Sequence, residues 1–124
     1  MALKSTNPSG TAAWQNLKKH FEEMQHVSMQ ELFAKDAKRA EKFHIQWNDF
    51  LVDYSKNILT EETKQHLLAL ANEVDLKDAI SKYFAGDLIN QTENRAVLHT
   101  ALRASSNASI LVDGVNVMPE VVAV

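Results

Sequence analysis

Between Phe43 and Tyr54 the apolar residues change their period. Phe43, Ile45 and Trp47 alternate with His44 and Gln46, and Phe50, Val52 and Tyr54 alternate with Leu51 and Asp53. Over most of the preceding and following segments the apolar spacing is three or four, as a helix requires. This switch from 3.6 to 2 sets the architecture as helices that carry a local hairpin. Asn48-Asp49 lies between the two alternating runs, and both residue types tolerate the positive φ of a tight turn. A two-stranded pair of this kind is only marginally stable in water unless it packs on helices.

The flanking signals agree. Pro8 and Gly10 break an extended leader, and Thr11 caps a helix predicted to run to about residue 25, with Trp14, Leu17, Phe21 and Met24 as its apolar stripe. Ser28-Met29-Gln30-Glu31 matches the capping box, in which serine and glutamate each satisfy the other's free N–H. Leu32 and Phe33 should then point inward, and a further helical turn is expected over residues 38–42. Thr60-Glu61-Glu62 opens the next helix, with Leu67, Leu70, Ala71 and Val74 as the stripe to be buried. Asp75 is placed to cap another. Its Leu76, Ala79, Ile80, Tyr83 and Phe84 give the best helical spacing in the chain, and Gly86 stands where a left-handed terminal glycine should. Thr92 is read as the cap of a short amphipathic helix over residues 92–103, with Val97, Leu98, Ala101 and Leu102 on one side. Asp113-Gly114 favours the type I′ turn of a second small hairpin between Ile110-Leu111-Val112 and Val115-Asn116-Val117. Pro119 and Glu120 begin a helix with little body behind them. This leads us to expect a cut sequence or a loose tail. The fold class is therefore mainly α with two small β-hairpins.

A chain of 124 residues is the size of one domain, residues 1–124 as a single segment. Folding at this length hides roughly two-thirds of the unfolded surface, enough for a core without staples. A net charge of -3 argues against non-specific binding to nucleic acid or anionic lipid. The absence of cysteine excludes a disulfide framework, a thiolate metal site and a cysteine nucleophile. No apolar run approaches the ~18 residues of a membrane span, and the first residues carry no export signature. A cytoplasmic chain is expected.

Residue types and spacings assign no catalytic, cofactor-binding or metal-ligating residue. The five histidines, His20, His26, His44, His66 and His99, contain no H-x-x-x-H pair that would set two imidazoles on one helix face for zinc. They are expected at the surface or half-buried. Three glycines cannot build a phosphate cradle, and no G-x-S-x-G elbow occurs. Trp14 and Trp47 are read as core, and Lys18-Lys19 and Lys38-Arg39 as solvated surface. Two clusters are less plain. Asp53-Tyr54-Ser55-Lys56-Asn57 is either a strand end leading into a helix cap or a loop bracing a neighbouring site. Glu93, Arg95, His99 and Arg103 could bind an anion or pair with a carboxylate elsewhere, or serve only as surface.

Longer strings go further. Asp53-Tyr54-Ser55-Lys56-Asn57, the run from Ile89-Asn90-Gln91-Thr92-Glu93-Asn94-Arg95 through Ala96-Val97-Leu98-His99-Thr100-Ala101-Leu102-Arg103, and Val112-Asp113-Gly114-Val115-Asn116-Val117-Met118-Pro119-Glu120-Val121 resemble the N-terminal region of the phosphoglucose isomerases. Lys18-Lys19-His20-Phe21-Glu22-Glu23-Met24 and Gln30-Glu31-Leu32-Phe33-Ala34 are similar too. The resemblance runs through essentially the whole chain in order.

The resemblance implies a homodimeric cytosolic isomerase of glycolysis and gluconeogenesis that interconverts glucose 6-phosphate and fructose 6-phosphate without metal or cofactor. A histidine and a lysine open the ring. A glutamate moves a proton between C1 and C2 through an enediol that an arginine stabilises. It also implies a fold of two α/β sugar-isomerase domains, of which this chain is the helical lead-in. The family's catalytic residues and its Gly-rich phosphate loop are expected beyond Val124, so none is placed on Arg95, His99 or Lys56. Those side chains would either support the residues that touch substrate or brace the domains against each other. Two functional readings follow: an inactive N-terminal fragment of such an enzyme, aggregation-prone or partly molten alone, or a stand-alone helical interaction module derived from that region. A small autonomous enzyme ranks below both, for want of converging acid, base and anion-binding groups.

Overall fold

A computed structural model describes residues 3–123. The described chain divides into two compact units, residues 9–70 and residues 71–123 with the leader 3–8. The last residue of the expected loose tail, Val124, lies outside the described residues.

In the first unit, α1 (Ala12–Met24) starts as its sequence requires, with the Trp14 N–H donating to Thr11 Oγ1 at 3.1 Å. The capping box opens α2 (Met29–Lys35): the Glu31 N–H donates to Ser28 Oγ, and the Ser28 N–H to the Glu31 carboxylate. A single turn, α3 (Arg39–Lys42), leads into β1 (His44–Trp47) and β2 (Phe50–Asp53). The strands pair antiparallel with Trp47 opposite Phe50 and His44 opposite Asp53, and Asn48 turns with φ +52°. The Tyr54 N–H donates to the Phe43 carbonyl at 2.9 Å, extending the ladder by one step. Then α4 (Glu61–Glu73) begins.

Burial in this hairpin runs along its length, where alternation predicts that it should run across its faces. Every residue of both strands is exposed. Phe43, at the root, is buried and meets Tyr54 edge-on at 5.9 Å. Trp47 and Phe50, at the tip, stack on each other at 5.9 Å, and Trp47 is 68 % exposed. Trp47 is thus not core, and neither is Trp14. The stripes behave likewise. Phe21 on α1 and Leu67 on α4 are exposed, and α4 buries no side chain among the described residues. On α1 it is Ala13 and His20 that are buried.

The second unit starts with Asp75 and α5 (Leu76–Ala85). Asp75 occupies the expected position but makes no side-chain cap. Its backbone is left-handed (φ +56°) and its carboxylate pairs with Lys4 Nζ at 2.9 Å. Leu76, Ile80 and Phe84 of the predicted stripe are exposed. Gly86 ends the helix with φ +76°, and any Cβ there would stand 2.5 Å from the Leu111 carbonyl oxygen, so both conformation and space exclude a side chain. Strands β3 (Leu111–Val112) and β4 (Val115–Asn116) pair through the Asp113-Gly114 turn, both residues at positive φ. The helix α6 (Met118–Val122) follows with Pro119 in its first turn, and Met118 and Ala101 are buried.

The helix expected over residues 92–103 does not form. Asn90 and Arg95 instead exchange backbone hydrogen bonds of 3.0 and 3.2 Å, and Asn94 turns with φ +51°. Asn90 Oδ1 accepts from the Glu93 N–H and from the Thr92 hydroxyl, so the side chain expected to cap a helix is turned back to Asn90. A side chain that bonds nearby backbone offers the chain an alternative to helix. Only a 3-10 turn, Ala101–Arg103, remains.

Among the described residues the buried apolar side chains are Ala13, Leu32, Phe43, Ala101 and Met118, two of them alanine. The substantial core expected from chain length is therefore not assembled. The amphipathic faces exist, and little in the described chain covers them.

Candidate functional site

The Asp53–Asn57 segment is organised by a residue that patterning assigned to the surface. Arg39 is only 2 % exposed. Its Nε donates to the Ser55 carbonyl at 2.7 Å, and its Nη2 donates to the carbonyls of Asn57 and Leu59 at 2.7 and 2.8 Å. The guanidinium lies 4.5 Å from the Phe43 ring centre and 5.8 Å from that of Phe33. The physical cause is local. Between β2 and α4 the chain leaves ladder and helix, so its carbonyls need donors. A planar fork of N–H groups can satisfy several at once while aromatic faces receive the charge. Ser55 is buried beside this fork, and its N–H donates to Asp53 Oδ1 at 2.8 Å. Hydrogen bonds from the Ser55 hydroxyl and N–H hold the Asp53 carboxyl below its ordinary range. Lys56 is exposed. The segment is a backbone knot held by a cation.

The second cluster separates. Arg95 is exposed and pairs with Glu93 two residues away at 2.6 Å, where a more distant carboxylate was one expectation. Arg95 and His99 line an open cleft of about 590 Å³ with Asn90, Asn94 and Asp113. Arg103 is exposed in the 3-10 turn and is not among the lining residues. The cleft thus offers one arginine already engaged by a carboxylate, one exposed histidine and one aspartate, without an enclosed acid–base pair.

A third group was not singled out by sequence. His20 of α1, expected at the surface or half-buried, is 6 % exposed. With Glu62 and His66 of α4 it brings three ligand-type atoms within 4.8 Å of one another. The search for H-x-x-x-H passes over this group because its helical pair is Glu62 and His66, and the second imidazole comes from another helix. Glu-x-x-x-His at i, i+4 was the available signal.

The comparisons with known proteins agree with the strings quoted above. The phosphoglucose isomerase family profile matches residues 53–124. The chain belongs to the phosphoglucose isomerase family. A curated relative, the glucose-6-phosphate isomerase of Christiangramia forsetii, is 56 % identical over 119 residues. The match takes in 96 % of this chain and 22 % of the relative, so the chain spans about a fifth of that protein's length. None of the described helices is long and apolar enough to cross a membrane.

Proposed function

We propose that this chain is the N-terminal part of a glucose-6-phosphate isomerase, the enzyme that interconverts glucose 6-phosphate and fructose 6-phosphate in glycolysis and gluconeogenesis. The observation that carries the reading is the 56 % identity, over nearly the whole chain, to a protein bearing that name. The whole enzyme would work as a cytoplasmic homodimer. Its proton transfer between C1 and C2 would be performed by a carboxylate base outside residues 1–124. Here the knot around Arg39 holds the lead-in together, the exposed Arg95 adds little to it, and neither takes part in chemistry.

The open apolar faces support this role. Trp14, Leu17 and Phe21 line a shallow groove of about 480 Å³ on α1, and Ile45, Trp47, Phe50, Leu51 and Val52 stand exposed on the first hairpin. Surfaces of this kind are covered in a working protein. The remainder of the enzyme is the cover we propose.

A coupled assay reading fructose 6-phosphate conversion tests the reading. The polypeptide of residues 1–124 should give no turnover, whereas the product of the same reading frame extended downstream should be active. Turnover by the bare chain would overturn the assignment of the catalytic groups. A stop codon directly after Val124, together with a cooperative melt and sharp near-UV circular dichroism for the monomer, would point to a stand-alone interaction module.

A further inference from the structure

We propose that His20, Glu62 and His66 form a divalent transition-metal site, suited to zinc, that ties α1 to α4. The inference is independent of the isomerase reading, because it rests on residues within one compact unit.

Three observations carry it. The first is the donor set. Two imidazoles and a carboxylate are borderline and hard donors that suit zinc, and their ligand atoms lie within 4.8 Å of one another. Around a tetrahedral zinc with bonds of ~2.0–2.1 Å, ligand atoms sit roughly 3.3 Å apart, so side-chain rotation of about an ångström and a half closes the set. The carboxylate has that freedom, because the Glu62 side chain is exposed, and His66 is half-buried.

The second observation is an orphaned atom. His20 Nδ1 is buried without a hydrogen-bond partner. Buried polar atoms are normally paired, and one left over calls for an explanation. Its other nitrogen, Nε2, lies 2.7 Å from Thr63 Oγ1. The Thr60 N–H donates to that same hydroxyl oxygen at 3.0 Å, and Thr60 Oγ1 stands 3.1 Å away; in the proposed site Thr60 Oγ1 takes the Thr63 proton. One acceptor position on Thr63 then remains for a proton from His20 Nε2. That arrangement leaves Nδ1 as a bare lone pair. A ligating histidine is oriented in this way, with its second nitrogen donating to a fixed partner.

The third observation is the surroundings. The His20 and His66 rings are 5.2 Å apart at the foot of a cleft of about 260 Å³, lined also by Asn16, Lys19, Glu23 and Glu62. Glu23 Oε2 lies 3.8 Å from His20 Nδ1, and Glu62 Oε1 lies 3.8 Å from His66 Nε2. Neither pair is at hydrogen-bond distance. Two carboxylates face one ammonium group across the opening, a balance that favours a dication. Glu23 or water completes four-coordination.

The test titrates the full chain with cobalt(II), whose visible absorption reports a four-coordinate nitrogen–oxygen site, and melts it with and without zinc. Wild type should bind one cobalt ion saturably, and zinc should raise its melting temperature, because a ligand of the folded state alone stabilises it. His66→Ala should abolish the band. Glu62→Gln replaces a carboxylate ligand with a neutral amide and should weaken binding by at least about tenfold, the loss commonly seen even for groups that only support a ligand. His26→Ala, at an exposed histidine outside the cluster, should bind like wild type. His20→Ala risks unfolding because that side chain is buried, and the two more exposed positions keep the test decisive without it. Absence of the band in wild type overturns the site. So does equal binding by wild type and His66→Ala.

Discussion

Arg39 and Arg95 are a matched pair of basic residues in polar runs, and the structure treats them in opposite ways. Arg39 has its charge removed from water and three backbone carbonyls around it. Arg95 is 69 % exposed and holds the carboxylate of Glu93. The contrast lies in what each segment lacks. Residues 54–59 leave regular structure with carbonyls unspent, so a buried multi-donor side chain is needed. Residues 90–95 close on themselves through backbone bonds and the Asn90 side chain, so the nearby arginine is free to sit in solvent. A buried cation therefore marks backbone that cannot satisfy itself.

The strongest way to break this contrast is Arg39→Ala. It strands three carbonyls and empties the space against Phe43. Hydrogen bonds to a charged group contribute ~1.5–3 kcal/mol each and do not add fully, so the loss should be about 3 kcal/mol or more. Urea unfolding of the longest soluble form of the protein measures it. Arg39→Lys should recover little, since a point-like ammonium cannot reproduce the fork. A loss under about 1 kcal/mol would show that the knot is ornamental.

Gly86→Ala asks whether self-closed segments have rigid points too. The positive φ and the Leu111 carbonyl both oppose a Cβ. The expected cost is ~1–3 kcal/mol, seen as a lowered melting temperature. A neutral result would mean that β3 moves away freely.

A smaller effect concerns Asp53, whose folded carboxyl is held below its ordinary range by Ser55. A depressed folded pKa gives stability that is present above the unfolded value and is lost as pH falls through the folded one. The protein should therefore lose stability on acidification below the ordinary aspartate range. Ser55→Ala removes the hydroxyl contribution and should move the Asp53 carboxyl resonance midpoint upward in an NMR titration. An unmoved midpoint would exclude the Ser55 hydroxyl as a cause.

The smallest effect is expected at Arg95→Ala. An exposed pair contributes ~0–1 kcal/mol, and added salt should erase what difference there is. A cost comparable to that of Arg39→Ala would abolish the comparison.

Much of the fold was legible because its signals act over a few residues. Thr11, the Ser28–Glu31 box, Asn48-Asp49, Asp113-Gly114 and Pro119 each start or turn an element through atoms nearby in sequence. The 92–103 helix was misread where two local programmes compete. Thr92 reads as a cap, but its hydroxyl turns back to Asn90, and Asn94 accepts the left-handed turn. Spacing offered only the Glu62–His66 pair of the third group, because His20 lies 42 and 46 positions away on another helix.

By itself, then, the sequence determined where helices and turns begin, and through its longer strings the family. Those follow from hydrogen bonds closed within about four residues and from the order of residues alone. Tertiary structure decided which faces meet anything. It left Trp47 and, on α5, Leu76, Ile80 and Phe84 exposed, buried Arg39 beneath three carbonyls, and set a histidine of α1 against one of α4. Burial is a property of partners far away in the chain, and no periodicity names the partner.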